Sequence, residues 1–161
     1  MQGTSATTFA PAANVTRAQV VATLFRLHHE RIAGAGDLRD TPFDDVANGE
    51  WYAPYIAWAS ANEIVMGIGN GQFAPNDPVT REQFATILHR FATSNGTDVT
   101  IPADFALDFP DAALLSSWAE VGLTWANYNG LIRGTASGVL NPGGTTTRAE
   151  CAAILMRFLN G

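Results

Sequence analysis

The chain has 161 residues, of which 47% are hydrophobic and 15% are charged, and its formal net charge is −6. This length is sufficient for a compact domain with its own core, and the acidic balance excludes the basic surface with which proteins attract nucleic acid. No apolar run approaches the roughly 20 residues needed to cross a bilayer, so membrane insertion is not expected, and the N-terminus lacks the pattern of a signal peptide.

A tetrapeptide pattern, Thr-Arg-x-Gln/Glu, occurs three times, at spacings of 64 and 67 residues. Seven positions before each threonine lies an apolar residue that is followed two positions later by proline; these residues are Phe9, Phe73 and Leu140. A register held at several positions indicates a repeat array. The three copies are Thr16-Arg17-Ala18-Gln19, Thr80-Arg81-Glu82-Gln83 and Thr147-Arg148-Ala149-Glu150.

The first copy, residues 1–33, is only half present. It enters at Gly3, inside a loop, and keeps a single helix with apolar residues from Val20 to Leu27. Because its aromatic first helix is missing, we expect an exposed apolar face on this helix. The face would be covered by the rest of a longer protein, by a homodimer through the incomplete first repeat, or by the remaining helices.

The second copy, residues 43–92, predicts two helices joined by a loop. The first helix ends near Asn62 and carries three aromatic residues whose i, i+4, i+7 spacing places them on one face: Trp51, Tyr55 and Trp58. A loop rich in glycine and proline, which includes Gly69 and Gly71, leads to a second helix that begins at Thr80.

The third copy, residues 109–161, repeats this plan, with Trp118 and Trp125 at the positions of Trp51 and Trp58. Two connectors, residues 28–42 and 93–108, are rich in turn-forming residues and predict surface linkers. The sequence therefore predicts an all-α fold with five main helices and no strong strand.

The recurring tetrapeptide has two parts. Its threonine and its Glu or Gln form a capping box at the start of a helix, which stabilises the helix by about 1 kcal/mol. Its arginine (Arg17, Arg81, Arg148) lies beside the positive end of the helix dipole, which disfavours a cation by about 0.3–1 kcal/mol. Two explanations stay open: the arginine and free helix amides bind an anion, or it pairs with an acid of the neighbouring copy, such as Asp45 or Asp111.

Other candidate chemistry is sparse. The four tryptophans fit a core, or a stacking surface for sugar rings. The histidines have no metal-ligand spacing, and Cys151 lies in an apolar helical pattern that predicts a buried thiol. No catalytic residue, metal or cofactor is predicted.

Together these residues resemble the S-layer homology (SLH) domain: Phe-x-Asp-Val, paired aromatics, a glycine-rich loop, Phe-x-Pro and Thr-Arg-Ala-Glu. The resemblance implies a pseudo-three-fold array of helix-loop-helix repeats with the first repeat truncated. It also implies a non-catalytic module at the bacterial cell surface, outside the cell, that binds acidic, often pyruvylated, secondary cell-wall polysaccharide in grooves between repeats. The motif arginines would meet the acidic group, with aromatic residues and glycines as groove walls. The alternative is a protein-interaction or self-assembly module of a surface-layer protein.

Overall fold

The computed structural model describes residues 10–29 and 40–161. In these ranges it contains five α-helices: α1 (Arg17–His29), α2 (Ala53–Ala61), α3 (Arg81–Ser94), α4 (Glu120–Tyr128) and α5 (Arg148–Asn160). Two 3₁₀ turns, Ala112–Leu114 and Ser117–Ala119, precede α4. Extended pairing in the described ranges consists of isolated bridges, so the predicted all-α fold is confirmed. The loop of the first copy around Gly3 and most of the 28–42 connector lie outside the described residues.

The three predicted capping boxes are confirmed. The hydroxyl of Thr80 accepts the amide of Gln83, and the Gln83 side chain accepts the Thr80 amide in return. The same reciprocal pair joins Thr147 and Glu150. At the first copy, the Thr16 amide donates to the Gln19 side chain at 3.1 Å, and the Gln19 amide donates to the Thr16 hydroxyl at 3.3 Å. Each of these three capped helices, α1, α3 and α5, therefore begins where its sequence signal places it.

The first helix of the second copy differs from its prediction. Helix α2 begins at Ala53, with Pro54 in its first turn, where a missing amide hydrogen costs little. Trp51 consequently precedes the helix and is 53% exposed, whereas Trp58 is buried. The three aromatics do not share one helical face. Trp118 likewise lies in a 3₁₀ turn before α4 and is 53% exposed.

The chain divides into two compact units. The central unit is Thr16–Pro78, in which α1 packs against α2. Phe25 of α1 contacts the rings of Tyr55 and Trp58, at centroid distances of 5.0 and 5.3 Å. In both units the second helix of one copy packs on the first helix of the next.

The terminal unit comprises Val79–Gly161 with the N-terminal segment that ends at Val15. Here α3 packs against α4. The two helices approach so closely that a Cβ on Gly122 would lie 2.8 Å from the Cα of Thr86. Glu82 of α3 reaches the start of the 3₁₀ turn before α4, where its carboxylate accepts the amide and hydroxyl of Ser116, both at 3.1 Å. Glu82 therefore has a structural role at a position where the other two copies have alanine.

This pairing corrects the expected exposed face. Val20, Val21 and Leu24 of α1 are fully buried, and α2, the aromatic helix of the next copy, packs against α1. On α5, by contrast, two apolar side chains are exposed: Met156 at 57% and Leu159 at 46%. Within the described residues, α5 has no following aromatic helix to cover the surface that α1 and α3 bury.

Three short backbone segments, one before each cap, meet in the terminal unit. The amide of Val15 donates to the carbonyl of Thr146, that of Thr146 to Val79, and that of Val79 to Val15, at 2.9–3.0 Å. All three side chains are fully buried. These hydrogen bonds close a ring that relates the three copies at this point; the pseudo-three-fold arrangement of whole repeats stays a prediction.

Candidate ligand-binding groove

The first amides of the three capped helices are not free. Those of Arg17 and Ala18 donate to Asp77 and Pro75 carbonyls, at 3.0 Å each. The corresponding amides of α3 and α5 donate to loop carbonyls in the same way, at 2.8–3.0 Å. The expectation of free amides that bind an anion is therefore wrong, because a loop of another copy satisfies them.

The motif arginines are anchored and almost fully buried, with 4–5% of each residue exposed. The Nε–H of Arg17 donates to the Phe73 carbonyl at 2.8 Å, and its guanidinium lies 4.6 Å from the centre of the Phe73 ring. The Nε–H of Arg81 donates to the Leu140 carbonyl at 2.9 Å. Arginine at the dipole-disfavoured position thus has a structural reason: its Nε–H satisfies a buried carbonyl of the following loop.

Two aspartates accept hydrogen bonds from backbone amides of the same two loops whose carbonyls bind Arg17 and Arg81. Asp45 accepts the amides of Phe73 and Ala74 at 2.8 and 2.7 Å, and Asp111 accepts those of Leu140 and Asn141 at 2.7 Å each. Partial desolvation acts to raise the pKa of Asp111, but these hydrogen bonds and the charge of Arg81 outweigh it and hold the pKa below its usual value. The acids that were considered as arginine partners therefore bind backbone amides.

In the described part of the chain, Glu150 pairs with the motif arginine Arg81. Its Oε1 lies 3.2 Å from Nη1 of Arg81, and Nη2 of Arg81 donates to the Arg133 carbonyl at 3.0 Å. Burial lowers the pKa of Arg81, while the charges of Glu150 and Asp111 oppose that effect; the guanidinium remains protonated. The salt-bridge explanation is thus supported for Arg81, with Glu150 as the acid.

Arg81 also lines a groove of about 260 Å³ between the second and third copies. The groove brings together three arginines and one acid, Arg81, Arg133, Arg157 and Glu150, and its apolar floor includes Ile154. Arg157 is held by a hydrogen bond of 2.9 Å from Nη1 to the Leu131 carbonyl, and Arg133 is exposed. The charged side chains that line the groove sum to a formal charge of +2 on a chain whose net charge is −6.

The free donors of Arg81 determine what this groove can bind. A guanidinium has five N–H groups, and three of those of Arg81 are used by Leu140, Glu150 and Arg133. Within the described residues two remain, one on each terminal nitrogen. A carboxylate takes one hydrogen from each terminal nitrogen in a bidentate pair, so the two remaining N–H groups match one carboxylate in number.

The glycines predicted as groove walls lie elsewhere. Gly69 and Gly71 border a second cavity, of about 360 Å³, in the central unit. Pro42, Phe43 and Met66 also line it, and among the described residues its one charged side chain is that of Glu63. Within the ranges that the structure describes, no arginine or lysine lines this cavity.

The tryptophans divide into two pairs. Trp58 and Trp125 are 5% and 2% exposed and pack against Phe25 and His89, so their rings have no free face for a sugar. Trp51 and Trp118 have exposed rings but line neither cavity. The core explanation therefore holds for Trp58 and Trp125, and sugar stacking stays a prediction for Trp51 and Trp118.

Other reactive groups contribute no site. Burial raises the pKa of the Cys151 thiol to about 12, which agrees with the predicted buried thiol. Among the described residues no group of three or more His, Cys, Asp or Glu side chains is placed to hold a metal ion. None of the helices in the described ranges is long and apolar enough to span a membrane.

The fold and groove define a helical repeat module with a cationic groove between two copies. The family model of the S-layer homology domain matches residues 1–21, 42–85 and 108–152, one partial and two full repeats. The chain therefore belongs to the S-layer homology domain family, and it is a cell-surface anchoring module.

Curated relatives share this region as a small part of larger proteins. Exoglucanase XynX of Acetivibrio thermocellus is 34% identical over 99% of this chain and 14% of its own length. A surface-layer 125 kDa protein of Lysinibacillus sphaericus is 33% identical over 99% of this chain and 13% of its own length. The cellulosome-anchoring protein of Acetivibrio thermocellus is 26% identical over 94% of this chain, and the chain spans 33% of it.

Proposed function

We propose that the chain tethers a protein to the bacterial cell wall by binding an acidic, pyruvylated wall polysaccharide in the groove at Arg81. The observation that supports this most is the pair of remaining Arg81 donors in a cavity that Arg133 and Arg157 also line. A pyruvate ketal carries one carboxylate, which matches this donor pair in number and charge.

The groove's surroundings suit a sugar polymer. An opening of about 260 Å³ accommodates one residue of a chain, and its apolar floor at Ile132 and Ile154 suits the C–H face of a sugar ring. Because the protein as a whole is acidic, its overall field does not attract an anionic polymer, and affinity has to come from these local cations.

The remaining predicted ligand residues have weaker support. Arg17 and Arg148 are as buried as Arg81, but they line neither of the two cavities, so they have weaker support than Arg81 as ligand contacts. Trp51 and Trp118, whose exposed rings are free to stack on sugars, are proposed as secondary contacts outside the cavities.

Sedimentation with purified wall sacculi tests the proposal. The chain should pellet with intact sacculi and stay in solution with sacculi from which the secondary polysaccharide has been stripped. Equal binding to both preparations would contradict polysaccharide recognition. Chemical removal of the pyruvate ketals alone should lower binding, if the carboxylate is the group recognised.

A second candidate is self-assembly, which the exposed apolar residues of α5 favour. Met156 and Leu159 lie on the surface that is covered in the other capped helices, and a second copy could cover it. Light scattering should then show a dimer that Met156→Lys converts to a monomer. A monomer at all concentrations would exclude this dimer.

A further inference from the structure

Glu150 has two separate contacts in the Arg81 groove. Its Oε2 accepts the amide and hydroxyl of Thr147 at 2.8 and 2.9 Å, which completes the cap of α5. Its Oε1 accepts from Nη1 of Arg81 at 3.2 Å. The cap therefore fixes the carboxylate in place, and its second oxygen lies against the guanidinium that an anionic ligand would use.

The other two copies show that a charge is not needed for the cap. Gln19 and Gln83 occupy the same position, and their side-chain oxygens accept the Thr16 and Thr80 amides at 3.1 and 3.2 Å. A neutral side chain thus makes the same reciprocal cap. The other two tetrapeptides have a neutral glutamine at the position of Glu150, so the negative charge at this position is a feature of this groove.

We propose that Glu150 is an internal competitor of anionic ligands in the Arg81 groove, and that it weakens the binding of highly charged groups more than the binding of singly charged ones. This inference rests on the proposed function, because it concerns the same groove. A ligand carboxylate on the two remaining Arg81 donors would lie within a few ångströms of Glu150 Oε1. The repulsion grows with ligand charge, so a phosphate dianion is disfavoured more than a carboxylate.

Glu150→Gln is the decisive variant, since the equivalent glutamines of the other copies preserve the cap. With the dielectric constant of water, removing one like charge at about 5 Å corresponds to roughly a fourfold gain in affinity for a monoanion and roughly 16-fold for a dianion. Sodium pyruvate and inorganic phosphate at pH 8 are the probes, and the Arg81 Nε–H resonance reports binding by NMR. Circular dichroism confirms that the helices are retained.

Glu120→Gln is the matched control. It makes the same change in net charge on an exposed residue that does not line the groove. The proposal predicts a gain in Glu150→Gln that is larger for phosphate than for pyruvate, and no gain in Glu120→Gln. Equal gains for both anions, no gain, or a similar gain in the control would overturn it.

The outcomes separate this inference from the proposed function. If the wild-type chain pellets with intact sacculi but Glu150→Gln gains no affinity, the anchoring proposal stands and the competitor role of Glu150 falls. If Glu150→Gln shows the charge-dependent gain but the wild-type chain does not bind the wall polysaccharide, the competitor role of Glu150 stands and the anchoring proposal falls.

Discussion

The hydroxyl of Thr146 is a buried polar group in the ring of backbone hydrogen bonds that joins the three copies. It is fully buried, and no described residue is its hydrogen-bond partner. The equivalent positions hold Val15 and Val79, both fully buried. Thr146→Val replaces the hydroxyl with a methyl group of similar size, so the variant should be more stable than the wild type.

The magnitude follows from the cost of an unsatisfied buried polar group, about 1–3 kcal/mol. For a chain of this size, each kcal/mol raises the melting temperature by about 2–4 °C. Urea denaturation and calorimetry measure both quantities. Val79→Thr is the matched control, because it places a hydroxyl at the equivalent position and should lower stability by a similar amount. If Thr146→Val lowers stability, or both changes are neutral, the hydroxyl is satisfied and the reasoning is refuted.

Three other substitutions test local features of the fold. Gly122→Ala should lower stability by about 1–3 kcal/mol in urea, because its Cβ would lie 2.8 Å from the Cα of Thr86; a neutral result would mean that α3 and α4 are farther apart. Glu63 has φ +57° where the third copy has Gly130 at +66°. Glu63→Gly should therefore raise the free energy of unfolding, measured in urea, by about 0.5–1 kcal/mol. A loss of stability would argue against this backbone conformation. The folded-state pKa of Asp111 is lowered, so its contribution is present above the ordinary carboxyl pKa of about 3.9 and is lost as pH falls through the folded value. Stability measured from pH 5 to 2 should therefore fall less steeply in Asp111→Asn than in the wild type, and identical slopes would contradict the lowered pKa.

The helix starts could be predicted from the sequence because every partner in a capping box lies within three residues. Thr80 and Gln83 satisfy each other's amides, and no distant contact is needed to recognise the signal. The buried thiol of Cys151 follows from apolar periodicity for the same reason. Because the capping-box residues recur at the same position in each copy, the same prediction could be made for all three.

The role of the motif arginine could not be predicted in this way. The Nε–H groups of Arg17 and Arg81 donate to backbone carbonyls that lie 56 and 59 residues away. Every residue has a carbonyl, so the sequence carries no mark of such a partner. The dipole penalty correctly indicated that these arginines need a partner, but not that the partner is a loop.

The pairing of helices was missed because the repeat in sequence is not the packing unit. α1 covers its apolar face with α2 of the next copy, which moved the expected exposed face from Val20 to Met156 and Leu159 on α5. Arg133 was missed for a related reason. The second copy has Met66 at its position, so a search for recurring residues passes over a cation that only one copy supplies.

The groove at Arg81 is the central claim, and the affinity of Arg133→Ala for purified wall polysaccharide tests it most directly. Arg133 lines the groove with an exposed side chain, so its loss should leave the fold intact and weaken binding by about three- to tenfold, as expected for one partly exposed cation facing an anion. Arg26→Ala, which removes an exposed arginine of α1 outside the groove, is the matched control and should bind like the wild type. Wild-type affinity in a folded Arg133→Ala variant, or an equal loss in Arg26→Ala, would contradict binding in this groove.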